Sequence, residues 1–306
     1  VPSMKRLGYP ATFSAALQAA AGAIGIIIPP SIPMVVLGSI TNISVGAMFL
    51  GGLVPGILIG LTYMVFAGFI CYRYNYGDVG TDRFSLKALL STFSEAMLPI
   101  LAPLIIVGGI LTGVFTPTES GVVAVAYTLF LGMFVYRKIR LQDLPGILVE
   151  GAVGAANVVF IIGTSAVFSW ILTANGVPQT IANVLFSISQ SKAFILFAIN
   201  LIFFVGGMFL EGLALITMFV PMLLPIALQA GIDPIVFGVM VVINIALGTL
   251  TPPLGVCMFV ASASAGLKFE EVVRQGIPFI MALALNLLLV CLYPGLISTL
   301  PPRLLK

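Results

Sequence analysis

Long apolar runs separated by short polar stretches organise this chain, and two of the runs are interrupted at the same internal point. The runs at 46–72, 89–115, 119–136, 148–172 and 276–298 are unbroken, and a helix of about twenty such residues crosses about 30 Å of hydrocarbon. Residues 11–40 and 234–265 each read as one passage divided by a proline pair, Pro29-Pro30 and Pro252-Pro253. Proline lacks an amide hydrogen and its ring clashes with the preceding turn, so a helix does not run through such a pair. Between 172 and 234 the apolar character falls into two arms, 193–207 and 212–228, split by Gly206, Gly207 and Gly212. Neither arm has the length of a full crossing, so a re-entrant hairpin is expected. Irregular backbone at that depth is tolerated only beside protein or a watery cavity.

The two interrupted passages match at a constant offset of 223 residues: Pro2 with Pro225, Gly8 with Gly231, Gly25 with Gly248, Pro29 with Pro252 and Pro30 with Pro253. Equivalent broken helices in two halves of an apolar chain imply a secondary transporter built from repeats, with its site at the breaks. At the same offset the hairpin tip and its outgoing arm, residues 206–223, map ahead of Val1. A second hairpin is therefore expected there, and on the order of 140 residues before this chain, which begins with Val1 rather than Met.

Composition agrees with a bilayer: 60% of residues are apolar, 8% are charged and the mean hydropathy is +1.21. The net charge of +3 is topological rather than nucleic-acid-directed. If the apolar passages alternate in direction, Lys5, Arg6, Arg73, Arg83, Lys87, Arg137, Lys138, Arg140, Lys268 and Arg274 share one face, and Lys192, Arg303 and Lys306 the other. The richer face is cytoplasmic, which puts the hairpin mouth outside and makes the two repeats inverted. The stretch from Tyr72 to about Phe84 and that around Gln142 to Leu148 read as interfacial. Cys71, Cys257 and Cys291 lie in or beside apolar runs without a pairing pattern. Absence of histidine excludes histidine-dependent metal sites and hydrolytic triads, and no phosphate-binding Gly-rich Lys motif is present to couple ATP.

A proline frees the carbonyl four residues back, here those of Gly25 and Ile26 in the first break and of Gly248 and Thr249 in the second. Such carbonyls at the C-terminal end of a half-helix suit Na⁺, and the next half-helix offers its amides to a carboxylate. Ser31 and Thr251 add hydroxyls beside the breaks. Glu211 at the hairpin tip reads either as a cation neighbour or as a cap on the outgoing arm. Asn244, one turn before Gly248, faces a cavity or bonds a neighbouring helix. Thr116-Pro117-Thr118-Glu119 spells a capping box, and Gly51-Gly52 with Pro55-Gly56 reads as close packing with a kink.

Taken in order, Pro2 to Tyr9, Gly25 to Ser31, Phe49 to Gly56, Phe115 to Gly121, Gly231 to Pro234 and Gly248 to Gly255 resemble the large membrane subunit of the tripartite ATP-independent periplasmic (TRAP) transporters. The resemblance covers essentially the whole chain. It implies an all-α polytopic protein of the bacterial inner membrane, an elevator with inverted repeats that draws on a Na⁺ gradient. It further implies a periplasmic binding protein delivering an organic acid and a small membrane subunit alongside. In this reading residues 1–72 and 173–306 form the moving transport part, with the last helix, and 73–172 scaffold helices. Gly25, Ile26, Gly207, Glu211, Gly248 and Thr249 are the expected ion-site residues, and Ser31, Asn244 and Thr251 the expected substrate-binding ones. Where the family carries a first hairpin with a Gly-Ser-Ser-type tip, this sequence has none. The substrate stays open among dicarboxylates, sialic acid and other sugar acids, as do two other readings: a symporter without a binding protein and a membrane assembly protein.

Overall fold

The structure, a computed structural model, describes residues 1–77 and 85–301, and every regular element among them is a helix. Two compact units are distinguished, one holding 1–77 with 164–301 and the other 85–163. The first unit opens with α1 (Pro2–Arg6), α2 (Ala11–Ile27), α3 (Ile32–Thr41) and α4 (Val45–Tyr74). The second contains α5 (Leu86–Leu111), α6 (Pro117–Phe130), which runs on as a π-turn to Val135, and most of α7 (Leu144–Ala174). The chain then re-enters the first unit with α8 (Val177–Ile188), α9 (Lys192–Phe209), α10 (Gly212–Gln229), α11 (Pro234–Gly248), α12 (Val256–Ala265), α13 (Phe269–Leu292) and α14 (Gly295–Ser298).

Seven of these segments are long and apolar enough to cross a membrane, with α2 and α3 counted as one. The 223-residue offset is visible in the backbone. Gly8 and Gly231 both have positive φ, 81° and 72°, and the amides after them bond back alike, Tyr9 to Met4 and Ile232 to Ala227. Helix α2 begins at Ala11 and α11 at Pro234, and the peptide bonds Pro29-Pro30 and Pro252-Pro253 are both cis. Past the breaks, the left-handed caps fall at Asn42 and Gly266, so the second break is one residue longer than the first.

Packing follows side-chain size. In lipid there is no hydrophobic drive between helices, and association relies on close van der Waals approach by small residues. Ala16, Ala19, Ala20 and Ala23 form a buried stripe on α2, the helix against which α12 and α13 pack. Every residue of α11 from Val236 to Gly248 is buried, between α9 on one side and α2, α4 and α13 on others. In the smaller unit α5 packs on α6, and the Tyr127 hydroxyl donates to the Leu98 carbonyl at 2.9 Å. The expected box is present: the Thr116 amide donates to Glu119 Oε2 at 2.8 Å and the Glu119 amide to Thr116 Oγ1 at 3.3 Å.

Several expected boundaries shift. The run 276–298 is a helix over Phe269–Leu292, because Glu270 and Glu271 suit its positive N-terminal end and Pro294 stops it early. The run 89–115 ends as a helix at Leu111, two residues before Gly113 turns left-handed. The polar stretch near Gln142 is a short 3₁₀ turn, Leu141–Asp143, leading straight into α7. The amphipathic α8 was not among the expected elements, since twelve residues fall far below membrane length. Each hairpin arm is 18 residues, about 27 Å of helix and longer than expected. Arg83, Lys87, Arg303 and Lys306 of the charge argument have side chains outside the described residues.

Candidate functional site

Helices α9 and α10 are joined by two extended residues, Leu210 and Glu211. Glu211 caps α10: its Oε2 accepts the amides of Leu213 at 2.8 Å and Ala214 at 3.3 Å. Of the two readings of this carboxylate, the cap is the one with geometry on it. Its Oε1 accepts nothing among the described residues, and the side chain is exposed.

This tip is seated on the break between α11 and α12. The Leu254 amide donates to the Met208 carbonyl at 3.1 Å. Close approach is possible because two positions lack a Cβ: one added at Gly248 would lie 2.6 Å from the Gly207 carbonyl oxygen, and one at Gly212 2.6 Å from Ile245 Cγ2. A small cavity of about 80 Å³ lies here, bounded by Gly207, Glu211, Gly248, Thr249, Leu254 and Val256 among others. Gly207 borders it, and its carbonyl, set against Gly248, receives no hydrogen bond among the described residues.

Proline does not leave all the expected carbonyls bare. Gly248 O accepts the Thr251 amide at 3.1 Å and Thr249 O accepts the Cys257 amide at 2.9 Å. The hydroxyls of Thr249 and Thr251 turn back onto Ala246 O and Leu247 O, both at 2.7 Å. In the first break the buried Ser31 donates its hydroxyl to Ile26 O and accepts the Met34 amide, capping α3. Only Gly25 O is left without a donor among the described residues, because residue 29 is proline and the Ile28 amide bonds Ile24. Gly25 and Pro30 lie exposed, whereas Gly248 is closed over by the hairpin.

The Asn244 side chain points to α9 rather than into the tip cavity. Its Nδ2 donates to Asn200 Oδ1 at 2.6 Å and to Met240 O at 3.1 Å, while its Oδ1 is buried without a partner. Asn200 was missed as a functional candidate, although a lone amide inside an apolar arm is a readable signal. The structure thus brings Gly207, Glu211, Gly248 and Thr249 to one cavity, puts Thr251 just beyond it with its hydroxyl turned inward to the helix, and keeps Gly25, Ile26 and Ser31 together in the other break. Among the described residues no cluster of three or more His, Cys, Asp or Glu side chains is found.

Comparison with known proteins places the chain in a family. Residues 1–296 match the family model for the tripartite ATP-independent periplasmic transporter, DctM component. The chain is 40% identical over 293 residues to the isethionate TRAP transporter permease protein DctMQ of Oleidesulfovibrio alaskensis, covering 96% of this chain and 46% of that one. It is 37% identical to the C4-dicarboxylate TRAP transporter large permease protein DctM of Pseudomonas aeruginosa and 38% identical to the sialic acid TRAP transporter large permease protein SiaM of Vibrio cholerae, in each case covering 98% of this chain and 70% of the relative. The chain therefore spans less than half of the isethionate permease and 70% of the two large permeases. These relatives are named as permeases, not enzymes. With paired proline breaks, a hairpin closing one of them and a match across nearly its whole length, this chain belongs to the DctM-component family of the tripartite ATP-independent periplasmic transporters, multi-pass proteins of the bacterial inner membrane.

Proposed function

We propose that this chain carries ion- and substrate-handling elements of a Na⁺-coupled secondary transporter that takes up an organic acid. A periplasmic binding protein delivers the acid and a small membrane subunit completes the assembly. The three relatives above are named for isethionate, C4-dicarboxylates and sialic acid, each an organic anion. The observation that carries the reading is the open Gly207 carbonyl at the cavity where the C-terminal end of α9 meets that of α11. Each helix C-terminus has a partial negative charge of about half a unit, and two converging on one cavity favour a cation. Glu211 lines the same cavity, and its charge is offset in part by the positive N-terminal end of α10, whose amides it accepts. Val256, the first residue of α12, lines the same cavity, and the positive end of that helix suits a substrate carboxylate. Thr251 and Ser31 brace the breaks, and Asn244 braces α11 against α9.

In this reading residues 1–72 with 173–306 move as the transport part and 73–172 belong to the scaffold. The reading is supported by the larger unit's holding both breaks and the hairpin. The deciding experiment is uptake into proteoliposomes by the full-length transporter, with binding protein present or absent and Na⁺ exchanged for K⁺. Uptake should require both Na⁺ and the binding protein. Uptake indifferent to Na⁺ would remove the coupling, and uptake without the binding protein would favour a symporter that works alone.

A further inference from the structure

Away from the breaks, a cavity of about 820 Å³ opens where the start of α2, the end of α4 and the start of α13 meet. Its chemistry is graded along two helices. On α4, Arg73 and Tyr74 line the mouth and Phe66, Phe69 and Ile70 the floor, one to two turns deeper. On α13, Glu271, Arg274 and Gln275 line the mouth and Pro278 lies one turn deeper. Thr12 and Tyr76 complete the wall, and the Tyr76 ring is held 5.4 Å from that of Phe13.

Two arginines face one carboxylate, leaving the mouth net positive. Neither guanidinium makes a hydrogen bond or ion pair among the described residues; Arg73 has only the Tyr74 ring, 5.9 Å from its centroid. Guanidinium presents five donors in a planar fork that matches phosphate oxygens, and here two such forks are unengaged. The floor is not that of a soluble-anion site, because Phe69 within it is 67% exposed on a helix long and apolar enough to cross a membrane, where acyl chains can reach it. By the charge distribution along the chain, this end lies in the cytoplasmic leaflet, whose anionic lipids draw basic residues at the membrane surface.

We propose that this cavity binds an anionic glycerophospholipid, its phosphodiester between Arg73 and Arg274 and its acyl chains over Phe66, Phe69 and Pro278. The lipid would tie α4 to α13, the equivalent helices of the two repeats. Nothing in this depends on the Na⁺ reading, since none of the candidate ion-site residues lines this cavity and the proposal needs only the membrane.

The test uses the intact, full-length transporter in detergent, with thermal unfolding midpoint and native mass spectrometry read as lipid is added. Phosphatidylglycerol should bind and raise the midpoint, and phosphatidylcholine with the same chains should do so far more weakly. Replacing Arg73→Gln with Arg274→Gln should weaken phosphatidylglycerol binding about tenfold or more, at about 1 kcal/mol for each basic residue near an anionic surface. Arg73→Lys with Arg274→Lys should retain most of it. Both arginines are exposed, so these variants are expected to fold, and an unchanged lipid-free midpoint checks that. Equal binding of the two lipids, or an unaltered affinity in the glutamine variant, would overturn the proposal. So would complete displacement by glycerol 3-phosphate, which marks a site for free anions, or loss of lipid binding when the small membrane subunit is present, which marks a protein contact.

Discussion

At the scale of single residues, the two glycines that meet at the hairpin tip are not equivalent, and that difference can be measured. A Cβ at Gly207 would find its nearest atom, Gly248 Cα, at an ordinary 3.4 Å, whereas one at Gly248 would drive into the Gly207 carbonyl at 2.6 Å. Gly248→Ala should therefore displace the open carbonyl, cost about 1–3 kcal/mol through overpacking, and raise the half-saturating Na⁺ of uptake about tenfold or more. Gly207→Ala should leave both quantities close to wild type. Equal behaviour of the two variants would detach the carbonyl from Na⁺ handling. Glu211 makes the opposite prediction. Its Oε2 takes the Leu213 and Ala214 amides, and a Gln oxygen can still accept them, so Glu211→Gln should fold normally. Glu211→Ala should lose about 1 kcal/mol of cap. With the cap as its work, Glu211→Gln should move the half-saturating Na⁺ much less than Gly248→Ala does; a larger shift would restore the carboxylate as a direct cation neighbour.

Between elements, the two breaks share a sequence pattern but differ in hydrogen-bond accounting. In the second break the carbonyls of Gly248 and Thr249 already hold the amides of Thr251 and Cys257. New amides at 252 and 253 would have to displace those bonds to lengthen α11. In the first break Gly25 O has no donor, so an amide at residue 29 has a carbonyl ready to receive it. Pro29→Ala with Pro30→Ala should thus leave thermal stability nearly unchanged while uptake falls, and Pro252→Ala with Pro253→Ala should lose more stability, on the order of one or two hydrogen bonds at about 1 kcal/mol each. Equal losses from both pairs would mean that carbonyl accounting does not govern the breaks. Those breaks, the hairpin and the Thr116–Glu119 box were legible in the sequence because proline, glycine and capping residues act within a few positions of themselves. Which donor would take which freed carbonyl was not, since the Ser31 hydroxyl reaches Ile26 O and the Cys257 amide reaches Thr249 O only once the loop geometry exists. The Asn200–Asn244 bond required the register of α9 on α11, which no local pattern encodes.

For the molecule as a whole, the path across the membrane rests on charge counting, and the hairpin is where that path is most exposed to test. Arms of 18 residues are, against expectation, long and apolar enough to cross, yet their tip is bonded to the α11–α12 break. That break divides a passage of about thirty residues, so the tip it holds belongs inside the membrane. The mouth of the hairpin is closed by Lys192, whose ammonium donates to Gly231 O at 2.8 Å, which brings the start of α9 to the end of α10. In a full-length background lacking Cys71, Cys257 and Cys291, cysteines at Thr118 and Gln190 should react with an impermeant maleimide from the periplasm. A cysteine at Lys138 should react only after the cytoplasmic face is opened. A cysteine at Leu210 should resist a bulky polymer-linked maleimide from both faces. Were α9 and α10 two complete crossings, Leu210 would lie in the cytoplasm and label as readily as Lys138, and the re-entrant hairpin, with the ion site at its tip, would fall together.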